Sequence, residues 1–281
     1  MSDISVWVDG RAFLEGPRWR ADGLYVSDQH GHCVMRIDVN GSIEEIASVP
    51  ECPSGLGFSP DGRLLIVSMK DRKLLRLDDG GPVEVADLSE HSPFEINDMV
   101  TTASGHSFVG QFGFDVHGGA AAQTSALLRV DPDGSVHSVA DGMACANGMV
   151  VTEDEKTLIV AESGASKLTA FDLAADGSIA NQRVWAELPH VPDGICLDAE
   201  GAIWVAGPVD DRFFRVREGG EVTDVLPVPG RHAIACALGG ADGRTLYLLT
   251  SETLGNPTES AEKRASRIET TRASVPGVAR P

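Results

Sequence analysis

SGLGFSPDGRLLIVS, residues 54–68, holds two short apolar runs, Leu56–Phe58 and Leu64–Val67, around a Pro-Asp-Gly turn. Alternation such as Leu65 and Val67 is the period-2 signal of a half-buried strand, and Asp-Gly supplies the positive φ that a hairpin turn needs. The phrase recurs. It reads GPRWRADGLYVSD from Gly16, INDMVTTASGHSFVG from Ile96 and NGMVVTEDEKTLIVAES from Asn147; DGICLDAEGAIWVAG follows from Asp193 and AIACALGGADGRTLYLL from Ala233. Each copy is followed by a third strand such as KLLRLDD or FFRVREGG, and most by a fourth such as PVEVADL or EVTDVLPV.

The copies begin about 40–50 residues apart, the spacing of four-stranded propeller blades. Six copies predict an all-β, six-bladed β-propeller of four-stranded antiparallel blades, a single domain over residues 1–281. ISVWVDG near the start and SRIETTRASV near the end both read as strands. The last repeat has only its inner strands before the polar stretch 256–264, so the N-terminal strand is expected to complete that blade and leave no open edge.

The 281 residues carry a formal charge of −19. Such acidity repels phosphate backbones and anionic headgroups, which argues against nucleic-acid or membrane-surface partners. The opening residues lack a basic region and apolar core of a signal peptide, and no run approaches a membrane span. Cys33, Cys52, Cys145, Cys196 and Cys236 are odd in number and form no CxxC, so they read as free buried thiols of a cytoplasmic protein. A monomer or weak homo-oligomer is expected.

The innermost strands of a propeller begin at one end of its channel, so the residues that open each repeat converge. Here those openings are Glu15 in LEGP, Glu95 and Asn97 in EIND, Asn147 in ANGM and Asp193 in PDGI. Asn-Gly and Asp-Gly are also plain turn formers. Repetition of the feature at one register points instead to oxygen ligands for a hard divalent cation. The absence of paired Cys and His argues against a structural zinc site. There is no GxSxG elbow, HExxH, GxGxxG or P-loop, and the histidines are scattered, most reading as surface or blade-edge residues.

LEGPRW, INDMV, ANGMVVTEDEKTLIVAES and VPDGICLDAEGAIWVA together resemble the gluconolactonase and senescence-marker-protein (regucalcin) family, which includes the luciferin-regenerating enzymes. The resemblance runs over essentially the whole chain. It implies a six-bladed propeller with one divalent metal ion in the channel (Ca²⁺ first, then Zn²⁺, Mn²⁺ or Mg²⁺) and hydrolysis of a small-molecule lactone. Carried over by motif, Glu15, Asn147 and Asp193 are the metal ligands, Asp193 is also the catalytic base, and Asn97 contacts substrate. Asp115 in QFGFDVHGG falls near an acidic substrate contact of some members, and His117 follows it in the same Gly-rich loop.

Two positions depart from the pattern: Glu95 stands where some sugar-lactone members carry Arg, and Met99 replaces the Gly after Asn-Asp. Both changes are expected to disfavour an anionic or highly polar sugar acid, and Phe94, Phe112 and Phe114 to favour a more apolar substrate or else to pack within the blade. A calcium-binding or protein-interaction propeller without catalysis would keep the same ligands, as would a hydrolase of another ester or a phosphoester.

Overall fold

The computed structural model describes residues 3–116 and 118–278. The chain winds through 24 strands among the described residues, gathered into six four-stranded sheets. Blade 1 is β2 (Leu14–Arg20), β3 (Gly23–Asp28), β4 (Cys33–Ile37) and β5 (Ile43–Ser48); blade 2 is β6 (Pro53–Phe58), β7 (Leu64–Ser68), β8 (Lys73–Asp78) and β9 (Gly81–Asp87). Blade 3 is β10 (Ile96–Thr101), β11 (Ser107–Gln111), β12 (Ser125–Val130) and β13 (Val136–Met143), and blade 4 is β14 (Ala146–Val151), β15 (Thr157–Glu162), β16 (Lys167–Leu173) and β17 (Ile179–Glu187). Blade 5 is β18 (Ile195–Leu197), β19 (Ile203–Gly207), β20 (Arg212–Val216) and β21 (Val222–Pro227).

Blade 6 takes β22 (His232–Gly239), β23 (Thr245–Ser251) and β24 (Ser266–Arg272), and its outer strand is β1 (Ser5–Arg11). The N-terminal strand thus closes the ring, as the sequence predicts. The polar stretch between β23 and β24 adds a single short helix, α1 (Pro257–Lys263). Asn256 caps it by accepting from Glu259 N, and Arg264 ends it in the left-handed region.

The six innermost strands, β2, β6, β10, β14, β18 and β22, pack side by side around the channel. The core is six slabs, one between each pair of neighbouring blades. Between blades 4 and 5, for example, Ile159, Ala161 and Leu168 meet Ile203, Val205 and Phe214. Between blades 6 and 1, Tyr247, Leu249 and Ile268 meet Leu24, Val26 and Met35. Alternation in each strand sends one set of side chains to each neighbour, so both blade faces are apolar.

Five of the six inner strands break register where they open. The shifts fall between Glu15 and Arg18, Pro53 and Leu56, Ile96 and Met99, Ala146 and Met149, and Ala233 and Ala235. In blade 5, Asp193 and Gly194 precede β18 and bond irregularly to Ala206 O and Ile234 O. Such bulges add a residue to one strand and re-aim its side chain. Here they free the polar openings from strict alternation.

Candidate functional site

The opening ends of the inner strands place Glu15, Asn97, Asn147 and Asp193 at the same end of the channel, and all but Asn147 are buried. Asn147 hydrogen-bonds the Asp193 carboxylate and donates through Nδ2 to Ser163 Oγ at 3.2 Å; Ser163 in turn donates to Pro192 O at 2.7 Å. Ser54 Oγ donates to Asn97 Oδ1 at 3.4 Å.

The Gly after Asn147 and the Gly after Asp193 answer the turn reading. Gly148 and Gly194 do not have positive φ. A Cβ on Gly148 would lie 2.6 Å from Ile195 N, and one on Gly194 would lie 2.7 Å from Ala235 Cα. Asn147-Gly148 and Asp193-Gly194 are therefore close-approach points between inner strands rather than turns.

Sequence reasoning missed two residues. Asp98 occupies, in blade 3, the register that Gly55 holds in blade 2. Its Oδ1 lies 2.6 Å from where a Gly55 Cβ would stand, so the neighbouring glycine leaves room for this carboxylate. Arg18, three residues beyond Glu15, crosses to it: Nη2 donates to Asp98 Oδ1 at 3.2 Å and to Met99 O at 2.5 Å.

Burial pushes the Glu15 carboxyl well above the ordinary carboxylate range, and the charges of Asp193 and Asp98 push the same way. Burial likewise raises Asp193, to about 7, against the opposing hydrogen bond from Asn147. Asp98 is raised by burial despite Arg18.

Other buried carboxylates are compensated. Asp28 accepts from Phe13 N and Gly31 N; Asp198 meets Arg215 Nε at 2.6 Å; Glu162 lies 3.4 Å from Lys167 Nζ; Glu269 lies 2.7 Å from Arg267 Nη2. Among the described residues Glu15 and Asp193 form no ion pair, and Glu15 accepts only from the adjacent Gly16 N at 3.1 Å. Two buried carboxylates with one carboxamide form a hard-oxygen donor set whose negative charge lacks a partner, and a divalent cation fits that deficit. No group of three His, Cys, Asp or Glu placed to hold a metal occurs among the described residues.

The remaining candidates separate. Met99 is fully buried in the slab between blades 2 and 3, so it does not line the mouth; one residue of strand alternation sends it inward and Asp98 to the channel. Glu95 is half-buried just before β10; burial raises the Cys52 thiol, and the charges of Glu51 and Glu95 push the same way. Asp115 is exposed, and its Oδ1 accepts from Gly118 N at 2.6 Å, a local turn cap. His117 lies outside the described residues. Phe94 is exposed, Phe114 is half-buried, and Phe112 packs against the blade 2–3 slab. His30 is buried with its ring 4.9 Å from Phe13. No helix among the described residues is long and apolar enough to cross a membrane.

Residues 13–252 match the model of the SMP-30/Gluconolactonase/LRE-like region. The chain belongs to this family. Pentonolactonase XacC of Haloferax volcanii is 29% identical over 84% of this chain and 81% of its own length. A luciferin-regenerating enzyme superposes with a TM-score of 0.83 at 21% identity over 99% of this chain and 98% of that one. Regucalcin of Agrobacterium tumefaciens, described as a calcium-binding protein, gives 0.82 at 22% identity over 100% and 97%. At these identities the two structures speak for the SMP-30/gluconolactonase fold alone.

Proposed function

We propose that this SMP-30/gluconolactonase-like protein is a metal-dependent lactonase. The observation that carries the reading is the pair of uncompensated buried carboxylates, Glu15 and Asp193, at the polar end of the channel. The likeness to a pentonolactonase over four-fifths of both chains supports a lactone as substrate.

Glu15, Asn147 and Asp193 would hold the cation. When bound, a divalent ion supplies Lewis-acid polarisation of the lactone carbonyl and makes nearby water more acidic. Asp193 is the general base: it takes a proton as the water oxygen bonds to the carbonyl carbon, and the proton returns to the ring oxygen as its bond to that carbon breaks. Asn147, bonded to Asp193 on one side and to Ser163 on the other, fixes the carboxylate's orientation. Asn97, held by Ser54, orients a substrate oxygen. Arg18 pairs with Asp98 at 3.2 Å, which leaves Glu15 and Asp193 as the carboxylates of the cluster without an ion-pair partner and so available to a cation.

Neutral lactones and aryl esters, assayed with and without EDTA and with Ca²⁺, Mn²⁺ or Zn²⁺ restored, test the proposal. Lactone turnover that disappears with chelator and returns with metal is expected. Undiminished turnover in protein shown by elemental analysis to be metal-free would sink it. Calcium uptake with no turnover would mark a binding protein instead.

A further inference from the structure

The far end of the channel holds a second chemical feature. A cavity of about 760 Å³ opens there, walled by the closing residues of the inner strands, among them Trp19, Phe58, Val100 and Leu238. Cys196 and Cys236 also line it, and their sulfurs are 3.5 Å apart. The two residues stand 40 positions apart in sequence, on β18 and β22 of adjacent blades. The backbone fixes this approach: Gly194 N donates to Ile234 O at 2.9 Å, and the missing Cβ of Gly194 lets the strand carrying Ala235 come close.

We propose that Cys196 and Cys236 are a modification site, a dithiol that a small two-electron oxidant entering the far cavity converts to a disulfide joining blades 5 and 6. A disulfide needs about 2.05 Å between sulfurs, so the two sulfurs have to close from 3.5 Å. Cys196 is the partly exposed member and Cys236 the buried one, which assigns attack to Cys196 and resolution to Cys236. With hydrogen peroxide, the Cys196 sulfur attacks one oxygen, the O–O bond breaks and water leaves, giving a sulfenic acid. The Cys236 sulfur then attacks Cys196, the S–O bond breaks and a second water leaves. Both cysteines are oxidised by one electron each and the peroxide is reduced by two.

Burial holds the Cys196 thiol well above its ordinary range, with the neighbouring Cys236 and Asp198 adding to the effect and Arg18 opposing it. The reduced pair therefore persists without oxidant and reacts slowly with it. The other three thiols, Cys33, Cys52 and Cys145, make no sulfur–sulfur contact among the described residues. The cross-link lies outside the carboxylate cluster and does not depend on the lactonase reading.

The test treats the folded full-length protein with hydrogen peroxide or diamide, blocks remaining thiols with N-ethylmaleimide under denaturing conditions, and maps the peptides. The expected result is three alkylated cysteines, one peptide pair linked through Cys196 and Cys236, reversal by dithiothreitol, and a melting temperature several degrees above that of reduced protein. Cys196→Ser should give no linked peptide and no oxidant-dependent rise. A link through other cysteines, sulfinic or sulfonic acids at Cys196, or unreacted Cys196 and Cys236 while the denatured chain is fully oxidised would each overturn the proposal.

Discussion

Where the inner strands open, the channel gathers Glu15, Asp98 and Asp193 with Asn97; where the same strands close, Trp19, Phe58, Val100 and Leu238 wall a wide cavity. The difference follows from local backbone. At the opening end five strands carry a register shift, so consecutive residues such as Asn97 and Asp98 are both buried and polar. Toward the closing end pairs such as Val100 with Phe108 and Leu197 with Ile203 are in regular register, and alternation returns. One repeat thus supports a buried carboxylate cluster at one end and a wide cavity of mixed lining, Arg20 and Thr101 beside Trp19 and Phe58, at the other, because the inner-strand bulges are confined to one end. Arg18 stands between them, bonded to Asp98 and lining the far cavity.

The largest effect that distinguishes the two ends is expected from Asp193→Asn. It keeps the shape of the side chain, removes its charge and proton affinity, and should lower kcat by about 10²–10⁴-fold. A kcat near wild type at saturating metal would take the base role from Asp193.

In metal-free protein the same substitution should act with the opposite sign on stability. Asp193 has its folded pKa raised to about 7, above the unfolded value, so its contribution is favourable below the unfolded pKa and is lost as pH rises through 7. Asp193→Asn should flatten that slope and stabilise metal-free protein at pH 8 by on the order of 1–4 kcal/mol. Urea unfolding in chelator at pH 5 and pH 8 reads both numbers, and an unchanged slope would mean that the carboxylate is solvated.

Arg18→Met tests the divider. It leaves Asp98 buried without its cation, and a loss of about 2–3 kcal/mol is expected, trimmed because Arg18 is 22% exposed. Calcium should bind more tightly, since one more negative charge faces the cluster. Calorimetric titration and denaturation check the two signs; weaker calcium binding would break the electrostatic account.

Glu95→Gln should give the smallest change, a few-fold shift in kcat/KM toward an anionic lactone relative to its matched neutral analogue. An unchanged ratio would remove Glu95 from selectivity.

The six blades were legible because turns and alternation recur in each, and so was the closure by β1. Helix α1 was not, although its Asn256-Pro257 start and Glu259 are capping signals. Glu15, Asn147 and Asp193 stood out as candidates because each opens a repeat beside a glycine. Asp98 was hidden because strict alternation allows only one of Asn97 and Asp98 to face the channel, and the same slip assigned Met99 to the pocket. The register could have revealed it: Asp98 replaces the glycine that blades 1, 2, 4 and 5 keep. Cys196 and Cys236 have no sequence signature, since only the ring makes residues of different blades neighbours.

Pairing of β1 with β24 joins Ser5 to Thr270 across 265 residues of chain. Contacts this distant form late, because the chain entropy of bringing the ends together must be met first. During synthesis β1 emerges first and has no partner until residues 266–272 follow, so five blades can assemble before the sixth is complete. Until then β24 offers an unpaired edge to any other strand. The seam that protects the finished molecule is thus the point of greatest exposure for the unfinished one.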